Sequence, residues 1–332
     1  MSNSERLSEF EIIRRYFQQA TQQTTNHPNV IKSIGDDCAI LSVPSGYELL
    51  TSVDTLVVDR HFPASLRPEE VAQRAFCVCL SDLAAMGAQP AWFTLALTLP
   101  EADSEWLSAF SSALLAIANE YHCPLVGGDT TQGPLVITLQ VSGLVKAGLA
   151  LTRDGAEVGD YLYLTGPLGD GRAALSMLLE SPSIESTSAD YLRRRFVRPE
   201  PQIKAGLLLS GKSRAAIDIS DGLLADLHHL AEASRVDIAI DLDAIPISSA
   251  CRQVAGDQAL NFALTGGDDY QLAFTLPEID DGLLALMNRA DIDACAIGRV
   301  LPCNGHTSEV YGLENGRRIS WDTPKGYQHF TR

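Results

Sequence analysis

The placement of aspartate most restricts what this sequence can fold into, because the acid recurs beside glycine or directly after a short apolar run. Six such clusters occur along the 332 residues, at 34–37, 51–54, 80–83, 126–129, 217–222 and 265–269. Each cluster taken alone is typical of a turn or a helix start, where Asp and Gly are the preferred residues. Six of them cannot all be chance turns, since they lie at the ends of predicted apolar strands or at the starts of predicted helices.

The alternation forms two successive series, so the predicted fold class is α/β with two domains. At about 150 residues per domain the length suggests the same number, and we place the domains at residues 1–150 and 151–332. In the first series, residues 38–43 and 47–53 are β-type runs joined by Pro-Ser-Gly, which predicts a hairpin. Pro68 begins a predicted helix that stops near Gly87.

The second series begins with a predicted strand at 160–165 and a glycine-rich turn at 166–171. The serine-rich stretch 181–190 is typical of a surface loop. Further along the chain we predict strands and helices at 215–219, 222–234 and 237–242.

The net charge excludes some partners. With 25 Lys and Arg against 42 Asp and Glu, the formal charge is −17. Nucleic acids and anionic membranes are bound through clustered basic residues, so we expect neither as a partner. The remaining question is whether some of the carboxylates converge on cations.

Asp82 indicates that they do, because it lies within the apolar helical pattern of Phe76, Leu80, Leu83 and Met86. Carboxylates are rarely buried without a partner. Converging carboxylates repel one another unless a cation offsets them, and such hard oxygen ligands suit Mg²⁺. A site with several Mg²⁺ ions is therefore our hypothesis, and a nucleoside triphosphate is the natural companion of such a site.

Other features restrict the compartment and the kind of nucleotide site. We find no secretory signal and no apolar stretch of membrane-spanning length, and the seven cysteines lack zinc spacing. These observations favour a reduced, cytoplasmic protein. A Walker A loop and the protein-kinase signatures are absent. The turn at 166–171 is as typical of a tight connection as of a phosphate cradle.

An ordered set of motifs spans the chain from about Phe10 to Phe330. The motifs are Gly-Asp-Asp-Cys-Ala, Ser-x-Asp-Thr-Leu, His-Phe, Leu-Ser-Asp-Leu-Ala-Ala-Met-Gly, Val-Gly-Gly-Asp-Thr-Thr, Leu-Thr-Arg, Ile-Asp-Ile-Ser-Asp-Gly-Leu and Lys-Gly-Tyr-Gln-His-Phe. In this combination and order the sequence resembles the thiamine-monophosphate kinase family. The resemblance implies an aminoimidazole ribonucleotide synthetase-like fold, with an N-terminal domain that forms a β-barrel across a homodimer interface and a C-terminal α/β domain.

The resemblance also implies the reaction and the residues of the site. ATP and thiamine monophosphate would give ADP and thiamine diphosphate, with Mg²⁺ as cofactor and any K⁺ requirement left open. The implied Mg²⁺ ligands are Asp37, Ser52, Val53, Asp54, Asp82, Asp129, Asp218 and Asp221. The implied ATP contacts are Gly128, Asp129, Arg153 and Ser220. The implied thiamine monophosphate contacts are His61, Asp268 and Trp321.

The chain departs from the family pattern at three of these positions. Val53 has no side-chain ligand, so a metal contact there would use its carbonyl oxygen. Asp268 stands where the family usually has Glu, which shortens the side chain by one methylene. Pro324 occupies the place of the expected aromatic residue, and Trp321 stands three residues earlier.

The implied chemistry needs no general base, because a phosphate monoester with a second pKa of about 6 is already largely deprotonated at neutral pH. We expect direct in-line transfer without a phosphoenzyme. Two alternatives remain open: another ATP-dependent synthetase of the same superfamily, and a non-catalytic dimeric scaffold that binds nucleotide. Residues such as Arg153, His61 and Ser220 also have plainer interpretations, as a surface charge, a loop histidine and a helix cap.

Overall fold

The chain divides into two compact units. The structure is a computed structural model and describes residues 8–18, 27–180, 186–303 and 305–321. The units are Met1–Leu83 with Gln89–Gly148, and Ala84–Ala88 with Leu149–Arg332. Both units are mixed α/β. Among the described helices, none is long and apolar enough to cross a membrane.

The first unit is built on a four-stranded sheet. Its elements are α1 (Glu9–Ile12) with a π-helical continuation (Ile13–Gln18), β1 (Val30–Lys32), β2 (Ile40–Leu41), β3 (Tyr47–Val57), α2 (Pro68–Ala85), β4 (Gln89–Leu99), α3 (Ser104–Glu120), β5 (Leu125–Gln132) and β6 (Val136–Lys146). The sheet order is β3-β6-β4-β5, and only β4 and β5 are parallel. Phe76 of α2 packs edge-on against Phe93 of β4, with 5.1 Å between ring centroids.

Helix α2 confirms the prediction of a helix that begins at Pro68 and contains Asp82. The predicted hairpin is wrong. Strand β3 pairs with β6 over eleven residues, from Tyr47 opposite Lys146 to Val57 opposite Val136, whereas β2 pairs with β1. The distant strand offers β3 a full ladder of hydrogen bonds, and the adjacent run forms only two strand residues.

The second unit is built on a seven-stranded sheet. Its strands are β7 (Tyr161–Leu164), β8 (Ala216–Asp218), β9 (Val236–Asp241), β10 (Leu272–Leu276), β11 (Cys295–Pro302), β12 (Val310–Glu314) and β13 (Arg317–Ser320). Its helices are α4 (Asp170–Glu180), α5 (Thr187–Val197), α6 (Ile203–Leu209), α7 (Leu223–Ser234), α8 (Ser249–Ala255), α9 (Ala259–Thr265) and α10 (Asp281–Arg289). The strand order is β13-β12-β9-β11-β7-β10-β8.

Most predicted elements of this unit are confirmed to within about two residues, which is the usual uncertainty of element ends. The predicted loop at 181–190 is wrong from Thr187 onward, where α5 begins. The Ser186 hydroxyl accepts the Ala189 N–H at 3.1 Å as a helix cap, and α5 buries Leu192 and Phe196. Residues 181–185 lie outside the described residues. The burial of an apolar face therefore outweighed the polar composition of this stretch.

Three loops of the second unit meet where three neighbouring strands of its sheet end. Strand β10 is antiparallel to both of its neighbours, with Ala273 opposite Leu164 of β7 and Leu272 opposite Asp218 of β8. The carboxyl ends of β7 and β8 and the amino end of β10 therefore lie together. The loops that follow β7, follow β8 and precede β10 are brought to the same place.

Candidate functional site

In the first unit, Ser52 and Asp54 of β3 meet Asp82 of α2. Residues 52 and 54 share one face of the strand because side chains alternate along it. The Ser52 hydroxyl donates to Asp82 Oδ2. Burial, with a smaller contribution from the Asp82 carboxylate, raises the pKa of Asp54 to about 6, and a hydrogen bond with the Cys79 thiol acts in the opposite direction. Two carboxyl groups and a hydroxyl oxygen are thus held side by side, and the charge of Asp82 acts on Asp54.

This donor set fits a hard divalent cation, which prefers carboxylate and hydroxyl oxygens and would offset the repulsion between Asp54 and Asp82. In the described part of the chain, however, no group of three or more His, Cys, Asp and Glu side chains is arranged to hold a metal ion. The full eight-residue ligand set stays a prediction.

Among the described hydrogen bonds, none joins the other implied ligands of the first unit to this pair. Asp37 is exposed in a bend, where its N–H donates to Asp36 Oδ1 at 2.9 Å. Asp129 is exposed within β5 and does not end the strand as its cluster suggested, because β5 continues to Gln132 in parallel pairing with β4. The Val53 side chain is 57% exposed, so any metal contact at this residue would use its backbone.

Gly128 lies where β5 approaches β4 closely. A Cβ atom at this position would come within 1.9 Å of the Leu95 carbonyl oxygen. The glycine is therefore required by the sheet itself, whether or not nucleotide also contacts it.

His61 has a fixed ring orientation in the loop after β3. Its Nδ1 atom accepts the Val57 N–H at 2.9 Å, and its carbonyl oxygen accepts from Arg74 Nε at 3.0 Å. Because Nδ1 is an acceptor, a neutral ring carries its proton on Nε2. The plainer interpretation, a loop histidine with hydrogen-bond partners, is compatible with a substrate contact through Nε2.

In the second unit, Asp218 of β8 is followed by a loop that carries Ser220 and Asp221. Asp218 ends the strand and is 4% exposed. Beneath the loop lies Asp226 of α7, whose Oδ2 atom accepts the N–H groups of residues 220, 221 and 222 at 3.0 Å each. Burial raises the pKa of Asp226 to about 8, with the charges of Asp218 and Asp221 adding to the effect.

Asp226 was missed at the level of sequence, although a signal for it exists. It interrupts the apolar helical pattern of Leu223, Leu224, Leu227 and Leu230, just as Asp82 interrupts the pattern of α2. The same argument about buried acids would have identified both residues.

The loop before β10 carries Asp268 and packs against the Ser220 loop. The Asp268 N–H donates to the Ser220 carbonyl at 2.9 Å, and the Tyr270 N–H donates to the Ile219 carbonyl at 2.8 Å. The Tyr270 hydroxyl donates to Asp268 Oδ1 at 2.8 Å. Asp268 and Tyr270 have φ angles of 70° and 52°, the left-handed region that such residues rarely occupy outside special sites. The structure thus brings Asp268 and Ser220 together.

The glycine-rich turn at 166–171 is held by Asp269, a second residue that the sequence analysis missed. The Asp269 carboxylate is 1% exposed and accepts the N–H groups of Gly169 at 2.7 Å and Gly171 at 2.9 Å. Two amides that a phosphate cradle would need are therefore occupied by the protein itself. The contacts favour the interpretation as a tight connection.

Arg153 and Trp321 lie away from the described contacts of these loops. Arg153 is exposed, and its carbonyl oxygen accepts the Ser234 hydroxyl at 2.7 Å. The Trp321 ring packs against the core of the second unit, close to Gly312 of β12. The closing Lys-Gly-Tyr-Gln-His-Phe motif, and Pro324 before it, lie outside the described residues. The implied roles of Arg153 and Trp321 stay predictions.

Comparison with known proteins gives matches over nearly the whole chain. The AIR synthase related protein families match through their N-terminal domain at residues 35–145 and their C-terminal domain at residues 157–310. The chain is 45% identical to the thiamine-monophosphate kinase of Salmonella typhimurium, over 97% of this chain and 98% of that protein.

Two solved structures are also similar. The crystal structure of thiamine-monophosphate kinase from Stenotrophomonas maltophilia K279a superposes with a TM-score of 0.82 at 40% identity, covering 88% of this chain and 94% of that one. The structure of AaThiL complexed with AMPPCP and TMP gives a TM-score of 0.76 at 31% identity, covering 99% of this chain and 100% of that one.

Proposed function

The chain belongs to the thiamine-monophosphate kinase family, and from that premise we propose that it transfers the terminal phosphoryl group of ATP to thiamine monophosphate. The products are ADP and thiamine diphosphate, and the reaction is the last step of thiamine diphosphate biosynthesis. The observation that carries the proposal is the 45% identity to a curated kinase across both units. A relative complexed with AMPPCP, an ATP analogue, and TMP supports the two substrates.

The direct test is to incubate the purified protein with ATP, Mg²⁺ and thiamine monophosphate. We expect thiamine diphosphate and ADP to accumulate in equal amounts. Absence of thiamine diphosphate across a series of Mg²⁺ and K⁺ concentrations would contradict the kinase assignment, and it would favour the alternative of a scaffold or of a different synthetase.

We further propose that the implied ligands of the first unit, among them Ser52, Asp54 and Asp82, hold Mg²⁺. When bound, Mg²⁺ would offset the repulsion between the two phosphates, which is about 4 kcal/mol for unit charges 4 Å apart at an effective dielectric constant of 20. The role of the protein is to hold its carboxylates in place before substrate arrives. A half-buried pair on a strand and a helix is suited to that role, because neither element has to rearrange.

The transfer itself needs little proton chemistry from the protein. The acceptor is a phosphate oxygen that is largely deprotonated at neutral pH. We assign Ser220 and Gly128 to ATP, and His61 and Asp268 to thiamine monophosphate, as the family pattern implies. Transfer is then direct and in line. Radiolabelled phosphate trapped covalently on the protein during turnover would refute this mechanism.

The exposed strand β3 supports a homodimer. It is an edge strand of an open sheet, and it exposes 41% of Tyr47, 48% of Leu49 and 57% of Val53. Edge strands that expose apolar side chains invite pairing with another chain. We therefore propose that residues 1–150 form a dimerisation and Mg²⁺-ATP domain whose strands build an intersubunit barrel, and that residues 151–332 form the C-terminal α/β domain. Light scattering should give twice the mass of one chain.

We also propose a cytoplasmic location. All seven cysteines are free thiols, and Cys77, Cys79, Cys123 and Cys251 are buried as small apolar side chains would be. Thiols that are buried singly suit a reducing compartment.

A further inference from the structure

A buried carboxylate that the proposed reaction does not use lies beneath the loop between β8 and α7. Asp226 is 3% exposed, and one of its oxygens accepts the N–H groups of Ser220, Asp221 and Gly222 at 3.0 Å each. Successive backbone N–H groups that converge in this way form a nest, an arrangement that binds anions. The acceptor here is the carboxyl group of the protein itself, so Asp226 determines the conformation of these three residues.

The carbonyl side of the same loop is paired as well. The Ile219 and Ser220 carbonyl oxygens accept the N–H groups of Tyr270 and Asp268. Gly222 has a φ angle of 120°, and a Cβ atom there would lie 2.9 Å from the Thr265 carbonyl group. Because the amides turn towards Asp226 and the carbonyls turn towards the loop before β10, the backbone directs the side chains at positions 220 and 221.

The hydrogen bonds of Asp226 go to the loop and not to the helix that carries it. The N-cap of α7 is Gly222, which forms no cap hydrogen bond, and its φ angle and its close approach to Thr265 leave no room for a capping side chain. The chain buries the Asp226 carboxyl group close to Asp218 and Asp221, where like charges oppose it. Its three bonds go to the loop that precedes the helix, which indicates that the loop is what it serves.

We propose that Asp226 is a positioning residue for the nucleotide and metal side of the site. It holds the loop in the conformation that presents Ser220 to ATP and Asp218 and Asp221 to Mg²⁺. The inference rests on the proposed function and on the roles that the resemblance implies for those three residues. Asp226 is 3% exposed beneath the loop, so it acts through the loop and not by contact with substrate.

The test is equilibrium binding of AMPPCP in the presence of Mg²⁺, measured by titration calorimetry on the full chain without the second substrate. The variants are Asp226→Ala and Asp226→Asn. We expect the dissociation constant to rise about tenfold in Asp226→Ala, because three backbone amides lose their acceptor. The rise should be smaller in Asp226→Asn, whose amide oxygen keeps one neutral acceptor.

The matched control is Asp237→Asn. Asp237 is also a buried carboxylate of the second unit that accepts a backbone N–H, from Glu309 at 2.9 Å. It lies at the start of β9, four strands from β8 in the sheet. Its substitution should leave the dissociation constant within about twofold of the parent value, since no site loop depends on it.

Steady-state kinetics should show the same selectivity, with a higher KM for ATP in the Asp226 variants and an unchanged KM for thiamine monophosphate. A folded Asp226 variant that binds AMPPCP as the parent does would overturn the proposal, and so would an equal loss of binding in Asp237→Asn. If neither Asp226 variant folds, the residue is structural and the proposal is overturned. Failure of the proposed function is a separate result, since the parent would then make no thiamine diphosphate whatever the variants bind.

Discussion

The carboxylates of the first unit and those of the second unit are used in opposite ways. In the first unit, Asp54 and Asp82 project from a strand and a helix and face each other, with a serine hydroxyl between the elements. In the second unit, Asp226 and Asp269 face inward and accept backbone N–H groups of loops. In the first arrangement a bound cation would offset the negative charge, whereas in the second the backbone N–H groups of the protein stabilise the carboxyl groups.

This difference separates activity from stability. In the absence of a cation, the two carboxylates of the first unit repel each other in the folded protein. Removal of one of them should therefore cost function and little stability. A carboxyl group that accepts backbone amides supports the conformation of its loop, so its removal should cost stability, and it should cost function only where that loop carries site residues. The predictions below test that separation.

The largest effect is expected for Asp82→Asn. Removal of one carboxylate from the proposed Mg²⁺ site should lower the rate of thiamine diphosphate formation at least about 100-fold, in line with the loss of a preorganised electrostatic group. The melting temperature should stay close to that of the parent, because the Asn oxygen can still accept from Ser52 and a like-charge contact is lost. Activity within about twofold of the parent would show that Asp82 is not a metal ligand.

Asp269→Asn should show the reverse pattern in unfolding experiments. Both carboxylate oxygens of Asp269 accept backbone amides, and the Asn side chain would turn a donor towards one of them. We expect the free energy of unfolding to fall by about 2 kcal/mol, as measured by urea denaturation. The control is Asp129→Asn, an exposed aspartate whose substitution should leave the free energy of unfolding nearly unchanged. Equal effects of the two substitutions would contradict the comparison.

The pH dependence of stability should distinguish the same residue. Burial raises the pKa of Asp269 to about 7, with the charge of Asp170 contributing and that of Arg195 acting in the opposite direction. The Asp269 charge in turn raises the pKa of Tyr191 and of Cys251. Between about pH 4 and 7 the folded protein then binds a proton that the unfolded chain has lost, so stability falls as pH rises, by up to about 1.4 kcal/mol per pH unit. Asp269→Asn should remove this contribution to the pH dependence of the free energy of unfolding. Parallel curves of unfolding free energy against pH for parent and variant would contradict the prediction.

The smallest effect is expected for Val53→Ala. The Val53 side chain is exposed on the face of β3 opposite to Ser52 and Asp54. The Mg²⁺ concentration that gives half-maximal activity should therefore stay within about twofold of the parent value, because a backbone carbonyl is unchanged by the substitution. A larger shift would mean that the valine side chain shapes the metal site.

Local patterns predicted a good part of this molecule. Pro68, the two glutamates after it and the apolar spacing were enough to place α2, and with it the half-buried position of Asp82. The alternation of short apolar runs and helical patterns also located most strands of the second unit. These features depend on neighbours within a few residues, which is the range over which helix and turn preferences act.

Pairings across the chain could not be predicted in this way. Strand β3 pairs with β6, about ninety residues away, because that partner gives it an eleven-residue ladder, whereas the adjacent run forms only two strand residues. Asp269 reaches Gly169, which is 100 residues earlier in the sequence. No local signal shows that the amides of the glycine turn are already occupied.

The sequence by itself determined that acids recur at strand ends and within helices, that the chain is α/β, and which family it resembles. The tertiary structure alone decided which acids face each other and which turn inward to backbone amides. The physical reason is that the identity of a residue sets its charge and its local preferences, whereas its partners, and therefore its use, depend on which distant segments the sheets bring together.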